Sequence, residues 1–352
     1  MLTAGNVADD RMRQDSDDSN GGEGMTLPVD LKDVEQAHVR IRPHIHRTPV
    51  ITCRQLDLQA GTRLFLKCEN LQKAGAFKSR GACNAVFAAS DALAQHGFVT
   101  HSSGNHAAAL ARAAARRGVA AQIVMPSNSA EVKIAAVQGY GAVITFCEPN
   151  LAAREAAAAN ILEATGGLLI HPYDAELIIA GQGTATLELL EQVPDLDAIV
   201  VPVGGGGLLA GTLVAAKAIN PTIQVIAVEP RGADDAYRSW KSGAWVPSVA
   251  PQTIADGLLT SLGSINFKII RELVDVIWRV EDATILRAMQ LILERAKLVV
   301  EPSAAVPLAG LLEAPELLEG EFTREHKRVG VLLSGGNVDL QRLRFGASAP
   351  SV

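Results

Sequence analysis

Downstream of Gly97, short apolar runs alternate with longer alanine-rich stretches. FVTHS is followed by HAAALARAAARRG, AAQIVMP by SAEVKIAAVQGYG, and AVITFC by LAAREAAAANILEATGG. Unbroken apolar runs of this length predict buried strands. The alanine-rich stretches predict helices, because alanine loses no side-chain entropy when a helix forms. Strand–helix repetition predicts parallel sheets covered by helices. Upstream, Asp30 is placed to cap a helix running to about Ile41. HRTPV (46–50) predicts a turn, TRLFLKCE (62–69) a strand, and Phe77 to Ala89 a helix. A second α/β series starts near Glu176 and takes in DAIVVPV, TIQVIAVE (222–229) and RVGVLLSGG (328–336). The expected fold is therefore α/β, with two open twisted sheets, mostly parallel, each covered by helices. HPYDAE, at residues 171–176, has the loop character of a boundary between them. No repeat of solenoid period interrupts the pattern.

Four consecutive glycines, Gly204 to Gly207, stand between AIVVPV (198–203) and LLAGTLVAAKAI (208–219). A strand, a glycine turn and a helix start form an anion cradle. The helix presents unpaired N–H groups and the positive end of its dipole, and glycine lets the backbone approach. Ala198 to Ala216 carries no charge and has the length of a membrane span, but Pro202 and the glycines break it into strand, turn and helix. The glycine turn, HSSGNH (101–106) and LLSGGN (332–337) all fall at predicted strand ends. Ligands of open α/β sheets gather there, so distant segments can converge on one cleft.

Composition narrows the function. The chain has 352 residues and a net charge of −6, with no basic run interleaved with aromatics, which argues against a nucleic-acid partner. Cys53, Cys68, Cys83 and Cys147 form no CxxC pair, and so few thiols in so long a chain predict a reduced, cytoplasmic protein. Residues 1–24 are acidic, polar and glycine-bearing and lack a secretory apolar segment; they are expected to form a disordered leader.

Several segments carry candidate chemistry. Gly205, Gly207 and Ala210 fit the G-x-G-x-x-A form of a dinucleotide fingerprint, and Glu229 lies about 20 residues on, where a ribose-binding acid falls. That pattern alone fits an NAD-dependent dehydrogenase, whereas four glycines in a row also suit a smaller phosphate wrapped by backbone N–H groups. Lys78, in KAGAFKSRGACNAV, is set among small and apolar residues. Burial there would keep its amine neutral and nucleophilic, as in Schiff-base lysines; the alternative is a solvated helix-start lysine. Ser102, Ser103, Gly104 and Asn105 form a polar turn able to hold a carboxylate or simply to cap the helix that follows. Glu229, Asp234 and Asp235 could gather around a divalent cation, or one aspartate could cap a helix. No G-x-S-x-G elbow is present, which argues against a serine hydrolase.

Together these segments resemble the fold-type II pyridoxal-phosphate enzymes, related in fold to the tryptophan synthase β chain. Within that group the chain is most similar to serine racemase and the serine/threonine dehydratases (ammonia-lyases). The resembling motifs are FKSRGACNA, HSSGNH, AGQGT (180–184), PVGGGGLLAG, VEPRGADDAY, TIADGL (253–258), VEPSAAV (300–306) and LLSGGNVDL. They run from about residue 40 to 340. The resemblance implies a large cofactor-binding domain of residues 25–96 and 175–352 and a small domain of residues 97–174. It implies that Lys78 carries pyridoxal 5'-phosphate covalently, with Phe77 beside the cofactor ring. Asn105 would bond the ring hydroxyl, Ser334 would face the pyridine nitrogen, and Gly204, Gly205, Gly206, Gly207 and Leu208 would hold the phosphate. Ser102, Ser103, Asn105 and His106 would surround the substrate carboxylate, with Ser103 also matching the second proton carrier of serine racemase. Glu229, the Ala233 carbonyl and Asp235 would bind a divalent cation, Mg²⁺, Ca²⁺ or Mn²⁺. The activity implied is dehydration and deamination of L-serine or L-threonine, with threo-3-hydroxyaspartate in the same range and serine racemisation as the alternative. A homodimer is implied, with no membrane association. Ala107 and Ala108 replace the Gly-Gln that follows this turn in animal serine racemases, so nucleotide activation is not expected. With only a short stretch after LLSGGNVDLQRLRFG, the regulatory domain of biosynthetic threonine dehydratases is not expected.

Overall fold

Asp30 starts the first helix by a reciprocal cap. Its side chain accepts the Asp33 N–H at 3.0 Å, and the Asp33 side chain accepts the Asp30 N–H at 3.1 Å, so two donors left open by the helix are satisfied. The computed structural model describes residues 27–102, 104–317 and 327–339. The expected leader, residues 1–24, and Ser103 lie outside the described residues.

The strands are β1 (Val50–Ile51), β2 (Arg63–Cys68), β3 (Phe98–His101), β4 (Ala121–Pro126), β5 (Val143–Cys147), β6 (Leu168–Leu169), β7 (Ala198–Pro202), β8 (Gln224–Pro230), β9 (Val276–Val280) and β10 (Arg328–Leu333). The first helices are α1 (Leu31–Ile41), α2 (Arg54–Ala60), α3 (Lys78–Ala88), α4 (Asp91–Ala94), α5 (Asn105–Arg117), α6 (Glu131–Gly139) and α7 (Leu151–Thr165). They are followed by α8 (Glu176–Gln192), α9 (Gly207–Ile219), α10 (Asp235–Ser242), α11 (Ser264–Leu273), α12 (Asp282–Leu291) and α13 (Pro302–Leu317). No helix among the described residues is long and apolar enough to cross a membrane.

Two sheets form, as the alternating pattern predicts. One runs β1-β2-β10-β7-β8-β9 and is parallel except for β1; the other runs β5-β4-β3-β6 and is wholly parallel. Strand β7 is buried at every position, which is why its sequence is a continuous apolar run and not an alternation. One face of the larger sheet packs against α1, α8, α9 and α11 through residues such as Val34, Ile179, Leu213 and Ile270. Its other face meets α2, α12 and α13 through Leu56, Ile285 and Val306. In the smaller sheet, α5 and α3 cover one face with Leu110 and Val86, while Ala158 of α7 covers the other.

Helix α3, which begins at Lys78, is fixed in two ways. Its Arg80 is fully buried and makes paired bonds to Glu69 (2.7 and 2.7 Å) and Glu188 (2.9 and 2.8 Å); Glu188 also takes the Lys67 ammonium at 2.8 Å. Removing one partner from such a buried set costs about 3–5 kcal/mol, because the charge left behind has no water. Helix α8 also crosses α3 at very short range. A Cβ on Gly181 would lie 2.6 Å from the Gly81 Cα, so only glycine allows the two backbones to touch. The AGQGT segment is therefore a packing device.

Candidate active site

The carboxyl ends of β3, β5, β7 and β10 face one cleft, and residues just beyond each of them line a single cavity. Phe77, Lys78, Ser102, Asn105, His106, Gly204 to Gly207, Leu208 and Ser334 all line it. These residues are spread over more than two hundred positions of the sequence, and the folding of both sheets brings them together.

Lys78 opens α3, and its Nζ donates to the Pro172 carbonyl at 2.7 Å. The residue is half-buried. Burial lowers the amine from 10.5 to about 8, against an opposing pull from the Glu301 carboxylate. The amine lies 5.3 Å from the Phe77 ring centre and 5.7 Å from that of Tyr173. The unprotonated, nucleophilic form of this lysine is therefore reached at a lower pH than for an exposed one.

The glycine turn leads from β7 into α9. Only Gly206 needs a positive φ (90°). The others answer to space: a Cβ on Gly205 would lie 2.4 Å from Tyr173 Cγ, and one on Gly204 would lie 2.9 Å from Leu258 Cα. The Gly205 carbonyl accepts from the Asn266 side chain (2.7 Å) and the Gly263 N–H (3.1 Å), which fixes the loop from outside. The first N–H groups of α9 point into the cavity with no intrahelical partner. The four glycines put no side chain of their own on the cavity wall, which suits a phosphate held against backbone N–H groups.

Ser102 follows β3, and its Oγ accepts the Gly104 N–H at 3.3 Å. Asn105 is the first residue of α5. Its amide nitrogen donates to both Glu301 oxygens (2.9 and 3.0 Å), and its carbonyl oxygen accepts from Asn337 at 3.0 Å. The His106 ring is buried, with the Ile170 backbone beside it. Burial, followed by the Lys78 charge, holds this ring well below the usual histidine range, so it is neutral. Ser334 is buried just past β10, and its carbonyl accepts the Phe77 N–H at 3.0 Å. That bond ties the start of the lysine helix to the end of β10.

Glu229, Ala233 and Asp235 stand outside this cavity. Glu229 is buried at the end of β8 and accepts the Ala236 and Tyr237 N–H groups at 3.0 and 2.8 Å. Asp235 is buried at the start of α10 and accepts the Leu262 N–H at 2.8 Å. Burial pushes both carboxyls up, Glu229 well above the usual range, and no ion pair to either is seen among the described residues. Among the described residues no group of three or more carboxylates, imidazoles or thiols is gathered to hold a metal ion, so a hard divalent cation here would depend on these two carboxylates together with backbone oxygens. The site touches the cavity indirectly, because Leu262 packs against Gly206. As a ribose-binding acid Glu229 is unsuited: its oxygens are held by its own chain and do not reach the cleft.

Sequence reasoning missed Glu301, Pro172, Tyr173, Lys133 and Arg154, all of which line the cavity. Glu301 carried a signal, as the lone acid between the apolar LVV and the helix-forming PSAAV. Its carboxyl is pushed up to about 7 by burial, with the Asn105 bonds acting against that.

Residues 41–335 match the family described as pyridoxal-phosphate dependent enzyme. The chain belongs to that family. It is 49% identical to a serine racemase of Dictyostelium discoideum over 317 residues, 90% of this chain and 97% of that one. It is 48% identical to a beta-hydroxyaspartate dehydratase of Paracoccus denitrificans (strain Pd 1222), covering 91% of this chain and 99% of the relative. The structure of maize serine racemase superposes with a TM-score of 0.87 at 45% identity, over 89% of this chain and 95% of that one. The fold is that of the fold-type II enzymes, and the cofactor of the family is pyridoxal phosphate. The dinucleotide reading of the glycine turn is thereby set aside.

Proposed function

We propose that this enzyme removes water from L-serine and L-threonine and releases the 2-oxo acid and ammonia, with racemisation of serine as a second outcome of the same site. What carries the reading is that Lys78, with its amine lowered by burial, lines the same cavity as the four-glycine turn, with a serine, not an acid, past the end of β10. Lys78 is the residue to hold the cofactor. Gly204 to Gly207 and the Leu208 N–H would take its phosphate, Asn105 the ring hydroxyl, Ser334 the pyridine nitrogen, and Phe77 one edge of the ring. Bound there, pyridoxal phosphate supplies an electron sink for the charge that develops on Cα.

The chain's own groups do the rest. The N-terminal turn of α5, with Ser102, Ser103, Asn105 and neutral His106, orients the substrate carboxylate. Lys78, its amine lowered to about 8 by burial, takes the Cα proton. A hydroxyl at Ser334 would not keep a pyridine nitrogen protonated as an aspartate would, which would favour loss of the β-hydroxyl over a long-lived charge on Cα. Ser103 is the proposed proton carrier on the opposite face, which racemisation requires. Serine racemase as the main activity is the second reading, favoured by the names of the relatives.

Glu229, the Ala233 carbonyl and Asp235 are proposed to hold Mg²⁺, Ca²⁺ or Mn²⁺ behind the glycine loop. The small domain (97–174), a homodimer and a cytoplasmic location are proposed on the resemblance, the last also on four free thiols. The test is a product assay on purified, cofactor-loaded protein. 2-Oxo acid from L-serine or L-threonine, lost in Lys78→Ala, supports the reading; D-serine without oxo acid favours the racemase. Neither product from any hydroxy amino acid would reject both.

A further inference from the structure

Pro172, whose carbonyl takes the Lys78 amine, belongs to a short strap, residues 171–174, that lies between β6 and α8. The strap is stiff. Proline fixes its own φ and restricts the residue before it, and the His171 ring accepts the Tyr173 and Asp174 N–H groups at 3.3 and 2.8 Å. Its far end is fastened to the first turn of α11. There the Asp174 carboxylate accepts the N–H groups of Ser264, Ile265 and Asn266 at 2.8, 2.9 and 3.1 Å. Asn266 adds a second fastening. Its side chain is fully buried, and its amide nitrogen donates to the Tyr173 carbonyl at 3.1 Å and to the Gly205 carbonyl at 2.7 Å. The amide oxygen is buried without a hydrogen-bond partner among the described residues, so the two donations alone set how this side chain lies.

The two carbonyls belong to different parts of the site. Gly205 is in the turn that lines the cavity, and Tyr173 follows the residue that holds the lysine. The Tyr173 oxygen also lies against that turn, since a Cβ on Gly207 would be 2.8 Å from it. A carbonyl so close to the start of α9 competes for the N–H groups that an anion needs, unless another donor holds it. We infer that Asn266 is a positioning residue that couples the glycine turn to the lysine: one buried amide holds the Gly205 and Tyr173 carbonyls together, so the turn that takes the anion and the strap that takes the Lys78 amine keep one fixed spacing. Asn266 does not line the cavity, so it acts through the backbone groups it holds. This rests on the placing of the cofactor on Lys78 and the glycine turn proposed above.

The experiment follows capture of two aldehydes by full-length protein stripped of cofactor: pyridoxal phosphate, and pyridoxal, which lacks the phosphate. Asn266→Leu keeps the volume and removes both donations. Asn266→Asp keeps the shape and sets an acceptor against two carbonyls. Affinity for pyridoxal phosphate is expected to fall about tenfold in the first and further in the second. The pH midpoint of pyridoxal capture is expected to rise by about one pH unit in Asn266→Leu, because a loosened strap admits water to an amine that burial lowers. Loss of packing alone would weaken capture without moving that midpoint. Asn266→Thr restores one donor, should fall between on both scales, and decides the matter if the other variants do not fold. A change on one scale only would confine Asn266 to the turn or to the strap and overturn the coupling, as would no change on either. Failure of the cofactor placing shows separately, as capture that survives Lys78→Ala with Asn266 intact.

Discussion

The Asn105 amide nitrogen donates to both carboxylate oxygens of Glu301, at 2.9 and 3.0 Å, across 196 residues of sequence. That pair clamps the start of α5 to the entry of α13 and sets the direction of the Asn105 side chain in the cavity. Burial pushes the Glu301 carboxyl from 4.5 up to about 7, so the folded protein holds this proton over an interval in which the unfolded chain has lost it. Stability from this group is complete below the lower value and is lost as pH rises through the upper one. Glu301→Gln cannot ionise. In cofactor-free protein its melting temperature should therefore gain on the native value across that interval, by the equivalent of roughly 3 kcal/mol at the upper end. A gap between the two proteins that stays constant with pH would contradict this.

Lys78 has the opposite sign. Its amine is lowered from 10.5 to about 8, so folding disfavours the charged form. The penalty is present below about 8 and disappears as pH approaches the unfolded value. Lys78→Met should abolish activity yet raise the melting temperature of cofactor-free protein at neutral pH, by a few kcal/mol at most because water reaches the cleft. The hydrogen bond lost to Pro172 offsets about 1 kcal/mol of this. The gain should shrink steadily between those two pH values; melting curves at neutral and alkaline pH decide it.

Two glycines should behave in opposite ways. Gly205→Ala puts a methyl against Tyr173 Cγ at 2.4 Å, and the ring cannot move without opening the loop. Cofactor affinity, read from absorbance titration, should fall about tenfold or more. Gly139→Ala, at the end of α6, meets nothing within 4 Å. It should stabilise the protein by about 0.5–1 kcal/mol through lower unfolded-chain entropy, with cofactor binding untouched.

Asp235→Ala should make thermal stability insensitive to added Mg²⁺, Ca²⁺ or Mn²⁺. The native protein should gain about 2.7 kcal/mol at a hundred times the dissociation constant. An unchanged cation response in the variant would move the site away from Glu229 and Asp235.

Ser103→Ala should suppress D-serine formation more than elimination from L-serine, since only racemisation needs a proton delivered from the second face. Equal loss of both products, measured in one reaction, would remove that role from Ser103.

The frame of the fold was legible because buried parallel strands must be uniformly apolar. AIVVP and QVIAVEP are strands as the runs predict, and the Asp30 cap lies where the pattern starts α1. Strand β9, VIWRV, gave no comparable signal: Arg279 interrupts it, and Val276 and Arg279 are only partly buried. The cavity residues that announce themselves by local chemistry, Lys78 and the glycine turn, were readable. Pro172 and Tyr173 were not. Pro172 acts through a backbone carbonyl and Tyr173 through a ring face, and neither depends on a recognisable neighbour in sequence. Nor could the sequence show that Gly181 and Gly183 let helices approach backbone to backbone instead of making a turn.

The contact between Gly81 and Gly181 governs how such a site can change. Two helix backbones that touch leave no side chain between them to relax, so the amine three positions before Gly81 inherits the stiffness of a welded joint. Substitutions around the cleft wall can alter which molecule enters without shifting the nitrogen that attacks it. Diversity of substrate and constancy of the attacking group are therefore assigned to separate parts of the molecule.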